Sequence, residues 1–407
     1  MSGARPPWRR DEIGYCSNVH AGESGHEVMR VIRDGVAAVR RARALAGMSA
    51  GLWLSDQASE EIAGDGPMAA AFASALREGG IALTTLNGFP YGDFHATRVK
   101  EEVYQPDWAD ARRLDYTLRL ADILARHLPA HVAEGSISTL PLGHRDGWSE
   151  VHHAKAAEML CRLAGALAQR RGQGGRHIRV CLEMEPGCVL EETTQMIDFF
   201  GGELAAAAAR TGVAPEAIRE HLGVCFDICH QAVMFEEPAE SLQRLMAAGI
   251  GVGKIQISSA LHVPQPGTAE TREVLAAYAE PRYLHQVRTH DEHGCLTGRD
   301  DLGPALADDT LPTAEPWRIH FHVPVQATQL DSPRLQTTRQ AIEAVFDFLA
   351  DNPGLRPQLE VETYTWQVLP ASLRPGDEAT LIAGLRDELA WVEAALRQRG
   401  LLAADDA

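Results

Sequence analysis

The chain has 407 residues, 45% of them hydrophobic, and a formal net charge of −18, the composition of a soluble globular protein with ample material for a large core. No apolar run approaches the roughly 20 residues that a membrane-spanning helix needs. No Lys/Arg stripe interleaved with aromatics offsets the negative charge, which repels a phosphate backbone and excludes nucleic acid as a partner.

The start of the chain carries Arg5, Arg9 and Arg10 with no apolar stretch behind them, a poor secretory signal, so the expected location is the cytoplasm. Short β-like runs then alternate with helical ones, the order that builds a parallel sheet with crossover helices. Strands are predicted at 13–19, 51–55, 81–87, 136–142, 178–185, 222–229, 252–259 and 358–365. Helical apolar spacing falls at 26–46, 67–78, 107–127, 152–171, 192–211, 238–248, 333–350 and 377–398. Asp107 and Ser332-Pro333 supply capping chemistry, and Gly47, Gly212, Gly249 and Gly354 are placed to end helices in the left-handed conformation.

Eight such pairs predict an α/β fold, a (β/α)8 TIM barrel over 1–407 as one domain, with a long insertion between strands 7 and 8. The inserted segment, 260–330, contains 283–290 and 295–299 around Asp291-Glu292-His293-Gly294, which reads as a hairpin, and is expected on the barrel rim as a lid. The run 317–325 is also strand-like, so either it or 358–365 is the eighth barrel strand. The seven cysteines are an odd number, lying mostly in apolar runs, and read as reduced core thiols rather than a disulfide framework.

Two of the strands hold glutamates at i and i+2, in Leu182-Glu183-Met184-Glu185-Pro186 and Leu359-Glu360-Val361-Glu362-Thr363. Residues two apart face the same way, and buried carboxylates cost several kcal/mol unless a cation or a proton-transfer task compensates. Glu185 closes the fifth strand, Asp227 and His230 close the sixth, Gln256 lies in the seventh and Glu362 late in the eighth. Acids at one end of neighbouring strands repel each other unless a cation neutralises them. Glu185, Asp227, Gln256 and Glu362 are therefore the candidate ligands of a divalent metal ion, Mn²⁺, Mg²⁺, Zn²⁺, Fe²⁺ or Co²⁺.

Around them, Asn18 and His20 at the end of the first strand, Asn87 in a Gly/Pro-punctuated turn, His230, and His320 with His322 on one face of their run are candidates to bind substrate. Either of the last two could instead reach the metal or serve as a structural hydrogen-bonding group. No phosphate-binding loop, nucleophile elbow or dinucleotide turn occurs.

Glu185-Pro186 after a strand, Asp227-x-x-His230 after the next and a late-strand Glu362 resemble the metal site of the xylose-isomerase-like barrels, a superfamily of sugar isomerases, epimerases and endonuclease-IV-type enzymes. Where such epimerases usually supply a histidine from the seventh strand, this chain has Gln256. A closer resemblance runs nearly the whole length to the EboE-type proteins of bacterial metabolite-traffic operons. It is carried by the opening 13–23, by Leu86-Asn87-Gly88-Phe89-Pro90-Tyr91-Gly92, by His320-Phe321-His322-Val323-Pro324-Val325 and by Glu360-Val361-Glu362-Thr363-Tyr364-Thr365-Trp366. The resemblance implies a barrel whose operon moves a small metabolite or its precursor across the inner membrane, and leaves room for an operon-encoded membrane partner.

The expected activity is metal-dependent isomerisation or epimerisation of a sugar-like or polyhydroxylated small metabolite, with Glu185 and Glu362 removing and returning a proton. The alternative is a binding or escort protein that keeps the cavity without chemistry, with Gln256 as its mark.

Overall fold

The computed structural model describes residues 6–404; Arg5 lies outside them. Seven strands run in order from the start: β1 (Gly14–Tyr15), β2 (Met48–Trp53), β3 (Ile81–Asn87), β4 (Glu134–Thr139), β5 (His177–Glu183), β6 (Leu222–Asp227) and β7 (Val252–Ile257). The insertion adds β8 (Leu261–Val263), β9 (Val287–His290), β10 (Leu296–Arg299) and β11 (Trp317–Ile319); β12 (Gln336–Thr337), beyond its expected end at 330, joins the same sheet, and β13 is Gln358–Val361. The first seven and β13 pair in parallel in the order β1-β13-β7-β6-β5-β4-β3-β2. A further parallel bridge from Cys16 to Gly51 joins β1 to β2 and closes the cylinder.

Strands β2, β6 and β7 are buried at every position, as expected for parallel strands covered by helices outside and by packed side chains within. Glu360 crosses the interior so closely that a Cβ at position 51 would lie 1.4 Å from its Oε1. Only glycine leaves β2 room for that carboxylate.

Both candidates for the eighth strand are ordered, and β13 takes the place in the barrel. The segment 317–325 forms a strand only at Trp317–Ile319, which pairs antiparallel with β8 and β9. The inserted strands form their own antiparallel sheet, β10-β9-β11-β8-β12. The anticipated hairpin is β9 and β10, with Gly294 turning at φ +76. Six cysteines are buried and unbonded, while Cys295, on the hairpin, is exposed. No helix among the described residues is long and apolar enough to cross a membrane.

Local signals were displaced in a few places. The helix expected from Ser332-Pro333 begins at Arg339, because Gln336 and Thr337 are taken into β12. Asp107 caps only a turn, accepting from Ala109 N–H at 2.8 Å, and Asp110 caps the helix Ala111–His127 through Arg112 N–H at 2.9 Å. Gly212 and Gly249 end helices with positive φ, but Ala44 (φ 54) takes the left-handed turn expected at Gly47, and Gly354 is not left-handed.

Glu388 of the C-terminal helix Glu378–Gln398 fastens the loop after β13 and the end of the insertion from behind. Its carboxyl accepts from Thr363 Oγ1 at 2.6 Å, Trp366 Nε1 at 2.9 Å and Val325 N–H at 3.1 Å. Burial outweighs those donors and pushes its pKa from 4.5 up to about 7. The folded protein therefore holds a proton that the unfolded chain has released, so this stabilisation is complete below about pH 4.5 and is lost as pH rises through about 7. The stability advantage of the native protein over Glu388→Gln should shrink by about 3 kcal/mol over that window. Urea melts near pH 5 and near pH 8 measure it, and an advantage independent of pH would refute the assignment.

Candidate metal centre

At the carboxyl ends of the strands, three carboxylates converge. Glu183 is the last residue of β5, Asp227 the last of β6, and Glu362 immediately follows β13. All three are buried, and one oxygen of each lies within 4.8 Å of the other two. Asp227 Oδ1 accepts from Ser258 Oγ at 2.8 Å and from His230 N–H at 2.9 Å. Glu362 Oε1 accepts from Asn18 Nδ2 at 2.7 Å and Asn87 Nδ2 at 3.1 Å. Glu183 Oε2 and Asp227 Oδ2 are buried without a hydrogen-bond partner.

The insertion brings imidazoles over this floor. His322 donates from Nδ1 to Glu362 O at 2.8 Å, and His320 donates from Nδ1 to Gln286 Oε1 at 2.6 Å. Each ring is thereby fixed with its Nε2 buried and unpartnered, the arrangement that prepares a histidine to bind a metal. Asp227, His230 and His322 offer atoms within 4.8 Å of one another, and so do Cys229, His320 and His322. His230 Nδ1 itself is committed to Met184 O at 2.9 Å.

The electrostatics match a cation. Burial pushes Glu183 well above the usual carboxylate range, and the Glu362 and Asp227 charges push it further. Glu362 is raised by burial and then by Asp227. Burial lowers His322 to about 4, and His320 well below its ordinary value, so both are neutral imidazoles at pH 7, the form that ligates. Three oxygen donors, neutral imidazole and unpartnered buried acceptors form a donor set that fits a divalent ion.

Glu185 lies two residues beyond β5, past the paired part of the strand, and its carboxylate turns to the Tyr104 hydroxyl at 2.7 Å. Burial raises it to about 7, against the opposing effects of His230 and Tyr104. The oxygen expected from Glu185 in the ligand cluster is supplied by Glu183. Gln256 is buried in β7, in register with Asp227 and Glu360, and its Oε1 is 3.2 Å from Cys225 Sγ. His20 departs from expectation: its Nε2 meets the Tyr15 hydroxyl at 2.8 Å and its ring packs on Gly35, in a different cleft from the barrel mouth. His20 is the C-cap of the short 3-10 turn Ser17–Val19, from which Asn18, not His20, reaches the mouth. Asn18, Asn87, His230 and His320 do line the cavity at the mouth, together with Glu183, Glu185 and Glu362.

Two features were not anticipated. Tyr104 joins Glu185 to Gln286 Nε2, the latter at 3.2 Å, and nothing in its sequence context marks it. Beneath the carboxylates, Lys254 of β7 and Glu360 of β13 form a fully buried ion pair at 2.5 Å. Burial opposes the lysine charge, yet Glu360 holds its pKa above the ordinary value. The alternation Lys254-Ile255-Gln256 could have signalled it, since a lysine inside an apolar barrel strand requires an acidic partner.

No protein-family model and no curated protein matches the chain. Solved structures do match in fold. A xylose isomerase-like TIM barrel protein from Mycobacterium smegmatis, in complex with magnesium, is 13% identical with a TM-score of 0.50, over 94% of this chain and 97% of its own. An IOLI protein with a bound zinc atom is 10% identical, TM-score 0.48, over 95% and 98%. A putative sugar phosphate isomerase/epimerase from Anabaena variabilis is 12% identical, TM-score 0.47, over 95% and 98%. At such identities the likeness to the first establishes the xylose-isomerase-like barrel fold and nothing finer.

Removing one member of the buried pair leaves an uncompensated charge under the site. Lys254→Met should cost about 3–5 kcal/mol, and the double change Lys254→Met/Glu360→Leu should recover most of it. Urea unfolding of the two variants checks this; equal losses would show that the pair is not coupled.

Proposed function

We propose that the protein is a divalent-metal-dependent isomerase or epimerase of a sugar-like or polyhydroxylated hydroxy-carbonyl metabolite. The observation that carries this is the meeting of Glu183, Asp227 and Glu362, with Asp227 shared by a second group that adds His230 and His322. In this reading the insertion restores, through His322, the imidazole that Gln256 does not provide. Glu183, Asp227, Glu362 and His322 would hold the ion, which when bound supplies Lewis-acid stabilisation of charge developing on vicinal oxygens.

The chain's own groups divide the remaining work. Asn18 and Asn87 orient Glu362 through its Oε1, and Tyr104 orients Glu185. Glu185 and Glu362 come from different strands and face one cavity, so one can take the proton from the carbon next to the carbonyl while the other returns it. His230 and His320 serve as hydrogen-bonding groups for substrate hydroxyls, and the insertion acts as the lid that keeps water from the exchanging proton.

A second reading, a metabolite escort without chemistry, is favoured by Gln256 and by the sequence likeness to the metabolite-traffic proteins. In that reading the barrel keeps its cavity and hands the metabolite to a membrane partner. Metal analysis of the purified protein separates the two: one stoichiometric divalent ion supports the enzyme, and none after metal-replete expression supports the escort.

Under the enzyme reading, Glu183→Gln should weaken metal binding by about 100-fold or more. Glu362→Gln should lower solvent-deuterium incorporation into hydroxy-ketone substrates by about 1,000-fold with the fold intact. Calorimetric metal titration and proton-exchange mass spectrometry read these effects, and full retention of exchange in Glu362→Gln would overturn the assigned roles.

A further inference from the structure

The cavity has two chemically different halves. Its floor holds the acids Glu183, Glu185 and Glu362. Its outer wall is apolar and is assembled from separate parts of the chain: Phe89, Phe94, Val99 and Val103 follow β3, Tyr283 and Leu284 belong to the insertion, and Tyr364 follows β13. The rings are packed into one another, with Phe94 to Tyr283 at 5.1 Å, Phe94 to Tyr364 at 5.5 Å and Tyr283 to Tyr364 at 5.0 Å between centroids. The Tyr283 hydroxyl is spent on Phe94 O at 3.2 Å, so this part of the wall offers a ring and no free polar tip.

Among the described residues lining the cavity, the sole lysine or arginine is Lys100. It is already neutralised by Asp301 and donates to Tyr283 O at 3.2 Å. Its backbone is equally committed, because Val99 N–H and Lys100 N–H both donate to Arg282 O, at 2.8 and 2.9 Å. A phosphoryl group needs a free cation or a cluster of N–H donors; apart from the ion itself, which the vicinal oxygens would occupy, the described lining offers neither. A bare polyol, conversely, would meet the rings only with the C–H faces of its carbons and would gain less from them than an apolar substituent does. Apolar cavity wall beside a few placed polar groups selects a ligand divided in the same way.

We infer that the substrate of this site is an unphosphorylated hydroxy-carbonyl compound bearing an apolar substituent of about ring size, with the oxygens on the acidic floor and the substituent on the Phe94–Tyr283 wall. This rests on the metal-centre reading above. It narrows that reading by excluding sugar phosphates and by requiring an apolar appendage.

Hydroxamates present two vicinal oxygens to a divalent ion and can carry different appendages, so three of them test the inference on the manganese-loaded full-length protein. Titration calorimetry should find phenylacetohydroxamate about tenfold tighter than acetohydroxamate, and phosphoglycolohydroxamate weaker than both. In Phe94→Ala the preference for the phenyl compound should fall below about threefold. A phenyl preference below about threefold in the native protein, an undiminished one in Phe94→Ala, or tighter binding of the phosphorylated compound than of acetohydroxamate would each overturn the substrate class while leaving the metal centre standing. Failure of all three compounds to bind, or equal binding after removal of manganese by EDTA, would overturn the metal reading itself and the substrate class with it.

Discussion

The structure depends on keeping four acidic side chains buried at one end of a closed sheet. Glu183, Asp227, Glu360 and Glu362 come from three strands and occupy adjacent levels of the barrel interior, each at most 4% exposed. In a medium of low polarity such charges are tolerated only when compensated. Nature of the compensation differs by level. Glu360 takes its countercharge from Lys254 within the protein through Oε2, its Oε1 having no hydrogen-bond partner, whereas the upper three have no lysine or arginine beside them and leave Glu183 Oε2 and Asp227 Oδ2 unpartnered.

That division explains several otherwise separate features. Gly51 is glycine because the Glu360 carboxylate lies where its side chain would be. Asn18, after the neighbouring strand β1, and Asn87, at the end of β3, hold Glu362, and Ser258 and the first turn of Ile228–Val233 hold Asp227. Glu388 anchors the two segments that carry Thr363 and Val325, and so sets the level of the loops bearing Glu362 and His322. The polar groups around the site are thus support for a fixed constellation, which is what a preorganised centre requires.

The insertion contributes to the site in two ways. Its antiparallel sheet grows from β8, directly after β7, and returns His320 and His322 to the carboxylates through Val323 N–H on Ser259 O at 2.9 Å. The same segment fixes Tyr283 against Phe94 and ties Lys100 to Asp301. One element therefore supplies both the imidazoles above the acidic floor and part of the apolar wall.

The sequence by itself determined the barrel, because alternating apolar runs and helical spacing are local properties, and each of the eight expected barrel strands is present within a few residues. It also determined that acids gather at the strand ends, since alternation along β5 and β13 places Glu183 with Glu185 and Glu360 with Glu362. Tertiary structure alone decided which member of each pair does what. Glu183 joins the cluster and Glu185 turns to Tyr104, while Glu362 joins it and Glu360 pairs with Lys254, because the height of a residue on its strand relative to its neighbours depends on register between strands, not on the strand's own residues. The same holds for His20, which lies in another cleft against Tyr15 and Gly35, and for His322, more than 90 residues from Asp227 in sequence, whose position was set by long-range packing of the insertion that no local pattern encodes.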